Sequence, residues 1–281
     1  LKPYRQRVLG TYVLLEATLK ALASDGKGLK AAIAADRALR PAKIHANWKT
    51  KEQPVGTMDF LTIESVDAPS PVSGGHTTRW NGKPGPVMKI PVYGSEPGLQ
   101  LSVPKAYWVP ATKADVIARL KAHGIAMETI KKPRTVEVDM VRLIGFRVSA
   151  PSEGRVPVTA NGLKHETRKE TYPSGSVRIS TDQPLGALAT YLLEPESEDS
   201  FFAWGFFSEI LQRVEYIEPY AIAPMAERML ENDPALKSEF EKRLKDDSAF
   251  AASPLRRLQF FYERSPFLDD PYLVFPLGRE S

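Results

Sequence analysis

Leu192–Phe207 reads LLEPESEDSFFAWGFF. Four carboxylates, Glu194, Glu196, Glu198 and Asp199, fall within six positions, and Phe201, Phe202, Trp204, Phe206 and Phe207 follow at once. The question is whether the acids form a site or the polar entrance to a buried aromatic segment. A calcium loop sets oxygens at alternate positions around a glycine turn. Here Pro195 interrupts, and no glycine falls among the acids. Glu194 and Glu196 would face one side of an extended chain, as a pair of catalytic carboxylates requires. The stronger reading is local. Ser197, Asp199 or Ser200 caps a helix starting at Phe201, and acids are favourable near a helix N-terminus. Aromatic rings bury about 150–250 Å² each, so the segment is expected to be packed. Glu194, Glu196, Asp199 and Trp204 are thus the candidate ligand or structural residues.

Working outward, Val8, Tyr12, Leu15, Leu19 and Leu22 recur at spacings of four and three, one apolar face of a helix over 5–23. Asp25-Gly26 and Gly28 are read as its stop. No Ser, Thr, Asp or Asn precedes Pro3 to cap it, so it is expected to close a domain that begins earlier. A second helix is expected over 29–39. Pro and Gly then punctuate residues 41–110, with β-type runs MDFLTIESV, VMKIPVY and LQLSVP between them. Thr112–His123 reads as a helix with Val116, Ile117 and Leu120 inward and Gly124 as its stop. A strand is expected over 125–130 and a long one over 134–148. TRKETY, the turn PSG and SVRIST suggest a hairpin. LGALATYLL fits helix or strand. Beyond residue 213 the pattern is helical (214–232, 234–245, 254–265), with Asp233-Pro234 and Ser253-Pro254 as cap and first-turn pairs. YLVFPLG reads as a last strand. The fold class is α+β: N-terminal helices, a mixed β-rich middle region and a helical C-terminal third.

The 281 residues carry 42% hydrophobic and 26% charged side chains, typical of a globular chain. A net charge of +4 without a Lys/Arg run argues against nucleic acid as a partner. Cysteine is absent, which removes disulfides and thiolate chemistry. No apolar run approaches the ~20 residues of a membrane span. His45, His76, His123 and His165 show neither HxxH nor HxxE spacing, so no catalytic residue and no metal ligand is assigned. His123 fits a favourable last-turn cation. No GxSxG, P-loop or GxGxxG is present, and VSGGHTTRW lacks the lysine that holds phosphate.

Ser180–Phe207, STDQPLGALATYLLEPESEDSFFAWGFF, resembles a signature found downstream of the catalytic domain in bacterial zinc carboxypeptidases of the carboxypeptidase A-like type. LKPYRQRV, VPKAYWVP with VIARLKAHGI, EYIEPYAIAPMAERML, FYERSPFLDD and FPLGR resemble further segments in the same order. The resemblance implies that the zinc ligands and the general-base glutamate of the parent lie upstream of Leu1. It implies a zinc-dependent parent, no cofactor in this chain, an upstream peptidase domain and peptide substrate as partners, and a periplasmic or secreted setting. Residues 1–45 would be closing helices of the peptidase domain, and 46–281 an α+β accessory C-terminal region. Two other readings stay open. One is an autonomous peptide- or glycan-binding module using Trp48, Trp80 and Trp108. The other is a distinct hydrolase using Glu194 and Glu196.

Overall fold

The computed structural model describes residues 3–213 and 218–281. The chain opens with α1 (Tyr4–Ser24) and α2 (Gly26–Ala38). They meet at Asp25, whose carboxylate accepts from the Gly28 amide and caps α2. The chain therefore breaks at Asp25 alone, and the expected stop at Gly26 and Gly28 is instead the first turn of α2. Short strands follow: β1 (Lys43–His45) and β2 (Trp48–Thr50). Next comes a long ribbon of β3 (Gly56–Ser70) and β4 (Gly75–Val92). β5 (Ser95–Pro97) returns to β2, and β6 (Gln100–Ser102) to β1.

The main body begins at β7 (Ala106–Val109), then α3 (Ala114–Ala122), β8 (Glu128–Thr129) and β9 (Arg134–Leu143). β10 (Phe146–Val148), β11 (Val158–Ala160), β12 (Leu163–Tyr172), β13 (Val177–Ser180) and α4 (Gly186–Leu193) follow. The C-terminal helices are α5 (Pro219–Asn232), α6 (Pro234–Asp246), α7 (Ser248–Ala251) and α8 (Pro254–Tyr262). The final strand is β14 (Val274–Glu280). The fold is α+β, with helices at the N-terminus and in the C-terminal part.

Six strands form one antiparallel sheet in the order β12-β9-β14-β7-β13-β8. The last strand of the chain thus lies between β9 and β7, so the sheet has no centre until the C-terminus is in place. Ala106, Tyr107, Trp108 and Val109 are all buried, as a central strand covered on both faces requires. Tyr107, Val141, Ile179, Phe275 and Leu277 face one side, under α3 and α4. Trp108, Val138, Met140 and Tyr172 face the other. The C-terminal helices bury Ile222, Phe240, Phe250, Phe260 and Phe261 in a core of their own. Asp233 accepts from the amides of Ala235 and Leu236, and Ser253 from that of Arg256, as expected from the cap and proline pairs.

Four local expectations are corrected. β12 and β13 do not form a hairpin: three strands separate them in the sheet. Gly175 of the PSG turn and the next residue, Ser176, bond Ile130 instead, with Gly175 N donating to Ile130 O and Ile130 N to Ser176 O, both at 2.8 Å. Long-range pairing has overridden a good local turn. The strand over 134–148 breaks after Leu143, where Asn161 N donates to Gly145 O and β10 pairs with β11. The strand over 125–130 is reduced to the two residues of β8. No helix begins at Phe201. Residues 201–207 form successive turns, followed by a 3-10 turn at Ser208–Leu211. Part of the helix expected over 214–232, Val214–Ile217, lies outside the described residues.

The reason for the turn is packing geometry. On a helix, at about 100° per residue, Phe201, Phe202 and Phe207 would point to widely separated sides rather than along one stripe, whereas here all three are buried. Phe202 and Phe207 meet the edge of Phe275 on β14 at 5.9 and 4.6 Å. Gly205 makes the reversal possible with φ +71, and an added Cβ would lie 2.5 Å from the Val156 carbonyl oxygen. Gly205→Ala should cost about 1–3 kcal/mol. Urea unfolding checks this, and an unchanged midpoint would contradict the packing described.

Candidate functional site

The acidic stretch is placed by α4 and the step before it. The Gln183 side chain donates to Ala126 O at 3.0 Å and accepts from Ala126 N at 2.8 Å, tying the Gln-Pro step to the segment after α3. α4 then runs to Leu193, and Glu194 leaves the helix with extended backbone. Its side chain turns inward and its residue is only 2% exposed.

A carboxylate without partners is costly in such a place. Two partners reach it from the sheet. The Tyr107 hydroxyl, on β7, donates to Glu194 Oε1. Arg279 Nε, on β14, lies 3.1 Å from the same oxygen, at ion-pair distance but without hydrogen-bond alignment. The Arg279 guanidinium also donates to Asp139 at 3.3 Å and to Ser102 O at 3.2 Å. Asp139, on β9, pairs with His165 of β12 at 2.8 Å. A polar chain of Tyr107, Glu194, Arg279, Asp139 and His165 thus links four strands to the end of α4. Burial pushes the Glu194 carboxyl above its ordinary range, while Arg279 and the Tyr107 hydroxyl pull it back. Burial, and then the neighbouring Glu194 charge, push the Tyr107 hydroxyl well above its usual value.

The other candidates go elsewhere. Glu196 is half-buried at the rim and acts on Glu194 through its charge. Asp199 is exposed and accepts from the Trp204 indole N–H, closing the turn. Ser200 Oγ accepts from Ala203 N at 3.1 Å, so the capping chemistry expected of a helix serves a turn. Glu194 and Glu196 therefore differ in environment. Glu194 spends an oxygen on Tyr107 and Arg279, and its burial separates it from solvent. Tyr107, Arg279, Asp139 and His165 lack any local signal, because each partner lies far along the sequence. Tyr107 and Arg279 do fall within VPKAYWVP and FPLGR, two of the pieces singled out from the sequence.

A second polar cluster pins the loop before β14. Glu166 meets Arg142 at 3.2 Å, Lys164 at 3.1 Å and Arg168 at 2.6 Å. Asp270 meets Arg142 at 2.9 Å and also pairs with Arg168. The Arg168 hydrogen bond, helped by Arg142 and Lys164, lowers the Glu166 carboxyl to about 2.

The four histidines occupy separate places. His45 is on β1, with Nδ1 buried and unpartnered, and His76 pairs with Asp67 in the ribbon. His123 ends α3, and His165 is on β12. Among the described residues no three His, Asp or Glu side chains converge as a metal site requires. No helix among the described residues is long and apolar enough to cross a membrane.

Two outcomes are expected. Glu194→Ala removes the acceptor of the buried Tyr107 hydroxyl and one of the two carboxylates beside Arg279, which keeps Asp139 and Ser102 O, and should cost about 1–3 kcal/mol in chemical unfolding; an unchanged unfolding midpoint would contradict this geometry. Glu166, with its pKa lowered in the folded chain, adds stability that is present above 4.5 and lost as pH falls toward about 2. Glu166→Gln should therefore remove on the order of 2 kcal/mol at neutral pH and flatten the acid limb of a stability–pH profile.

Comparison with known proteins finds a partial relation. The chain is 30% identical over 111 residues to Carboxypeptidase 2 of Trichophyton rubrum, covering 40% of this chain and 21% of that protein. It is 29% identical over 107 residues to the Carboxypeptidase 2 proteins of Trichophyton tonsurans and Trichophyton equinum, covering 38% of this chain and 20% of each of them. The alignments thus take in about a fifth of the length of these relatives. No known family model matches the chain, and no solved structure matches it. The chain carries a carboxypeptidase-related region.

Proposed function

We propose that this chain is the non-catalytic C-terminal region of a zinc-dependent metallocarboxypeptidase. In this reading residues 1–45 are closing helices of an upstream peptidase domain, and 46–281 are an α+β accessory region that buttresses it. Zinc would be held by residues outside this chain. Glu194, Glu196, Asp199 and Trp204 serve as structural residues, holding the mouth of the aromatic turn.

The observation that carries the reading is α1. It is 21 residues long and buries none of them. Val8, Tyr12, Leu15, Leu19 and Leu22 lie along one face, and Leu9, Val13 and Leu14 extend the apolar surface around the helix. A helix apolar on most sides belongs in an interior. A peptidase domain packed around it would supply one, and the partial identity to carboxypeptidases supports that reading.

A second reading, an autonomous peptide- or glycan-binding module, draws on Trp48 and Trp80, which are 53% and 55% exposed. Trp108 does not join them, because it is buried and its indole N–H donates to Glu280 at 3.0 Å. A shift in tryptophan emission on adding peptides or oligosaccharides to the isolated chain would favour that reading.

The experiment has two arms. The isolated chain, supplied with zinc and substrates cleaved at a C-terminal residue, is expected to show no chelator-sensitive turnover; measurable turnover would overturn the proposal. Limited proteolysis is expected to cut within 4–38 rapidly in the isolated chain. The same segment should resist when the chain is produced joined to its upstream polypeptide, and equal sensitivity in both would count against the docking of α1.

A further inference from the structure

β12 is an edge of the main sheet. It pairs with β9 on one side, and among the described residues nothing pairs with its other side. Its 10 residues keep register with β9 without a bulge, and none of them is proline. A long, regular edge of this kind presents a row of unpaired N–H and C=O groups. Their parity follows from two bonds at the strand's end. Leu143 N donates to Leu273 O, on the β14 side, and Ile144 N to Gly162 O, on the β12 side. Bonded residues alternate along an antiparallel ladder, so the even-numbered residues of β12 bond β9. The odd-numbered ones, from Leu163 to Thr171, turn their backbone groups outward.

Edges are commonly guarded by charge, and β12 reads LKHETRKETY. One face carries Lys164, Glu166, Arg168 and Glu170 in succession, so the signs alternate along it. Reversing the strand about Thr167 puts an acid where each base stood and a base where each acid stood. Within the chain, Glu166 already meets Lys164 at 3.1 Å and Arg168 at 2.6 Å. Glu170 forms no ion pair among the described residues.

We infer that β12 is a self-pairing edge whose occupant is β12 of a second copy of this chain, antiparallel and centred on Thr167. A two-fold axis normal to the sheet joins two such edges and keeps each face continuous. Even-numbered residues then stand only opposite even-numbered ones. In the register centred on Thr167, Lys164 stands opposite Glu170 and Glu166 opposite Arg168, on both sides of the axis. Glu170 gains the partner it lacks. On the other face Thr167 meets its own copy, and His165, held by Asp139, meets Lys169. The neighbouring registers are poor. Centring on Glu166 sets Glu166 against itself and Lys164 against Arg168. Centring on Arg168 sets Arg168 against itself and Glu166 against Glu170. Like charges directly opposite are destabilising, and registers farther out match fewer opposite charges. The charges that guard this edge against other strands therefore favour one pairing with its own copy. This inference does not rest on the carboxypeptidase reading.

The test uses the absence of cysteine from the chain, which lets an introduced thiol report its own neighbours. Thr167 lies on the axis, where the Cα atoms of a bonded antiparallel pair are about 5.5 Å apart, within disulfide reach. Thr167→Cys is expected to give a covalent dimer on mild oxidation. Lys169→Cys would lie well beyond the roughly 7 Å limit from its own copy and should stay uncrosslinked. In sedimentation velocity the unmodified chain should show a concentration-dependent dimer. Glu170→Lys should weaken it roughly tenfold, and adding Lys164→Glu should restore it, with the far-UV spectrum retained in each variant. A chain that stays monomeric at every concentration overturns the inference. So does a dimer indifferent to Glu170→Lys, or equal crosslinking through positions 167 and 169.

Discussion

Glu194 is a carboxylate buried at the end of α4, and an ionised carboxylate deprived of water must be met by donors. Tyr107 and Arg279 meet it, one from β7 and the other from β14. These two strands are neighbours at the centre of the sheet, and β14 is the last element of the chain. Closing the centre of the sheet and satisfying Glu194 are therefore a single event. The aromatic turn depends on it in the same way, because Phe202 and Phe207 pack on Phe275 of the same strand. Arg279 carries the constraint outward through Asp139 to His165 on β12, and through Ser102 to β6. A chain lacking its last strand would lose both the partner of Glu194 and the floor under the aromatic turn.

What could be read directly from the sequence was local. Asp233-Pro234 and Ser253-Pro254 mark true helix starts because capping is decided within four residues. α3 was legible for the same reason, with Val116 and Leu120 inward and Gly124 at φ +79 after its end. What failed was decided at long range. The PSG turn is a sound local reversal, yet its flanking strands find partners elsewhere in the sheet. The aromatic stretch carries the composition and cap residues of a helix start, but Phe201, Phe202 and Phe207 would not share one helical face and are all buried in turns instead. The inward turn of Glu194 was not legible, since its partners are 85 or more positions away in sequence. The register of Tyr107 and Arg279 around it emerges only when β14 inserts between β9 and β7.

The molecule has two kinds of surface. The six-stranded sheet and the C-terminal helices are closed bodies with their own cores. α1, α2 and the ribbon are not, and their apolar side chains meet solvent along their length. Exposure on that scale marks interaction surfaces. In the functional proposal an upstream domain covers the helices.

Hydrogen exchange of the individual backbone amides in the isolated chain tests the central claim most directly. If the Glu194 node locks α4 and the aromatic turn to the centre of the sheet, the amides of Glu194, Phe201 and Phe206 exchange as slowly as those of β7 and β14. They should then open together in a single cooperative event. Fast exchange across 194–206 while β7 and β14 stay protected would show that the acidic stretch is a surface loop, and the account would fail.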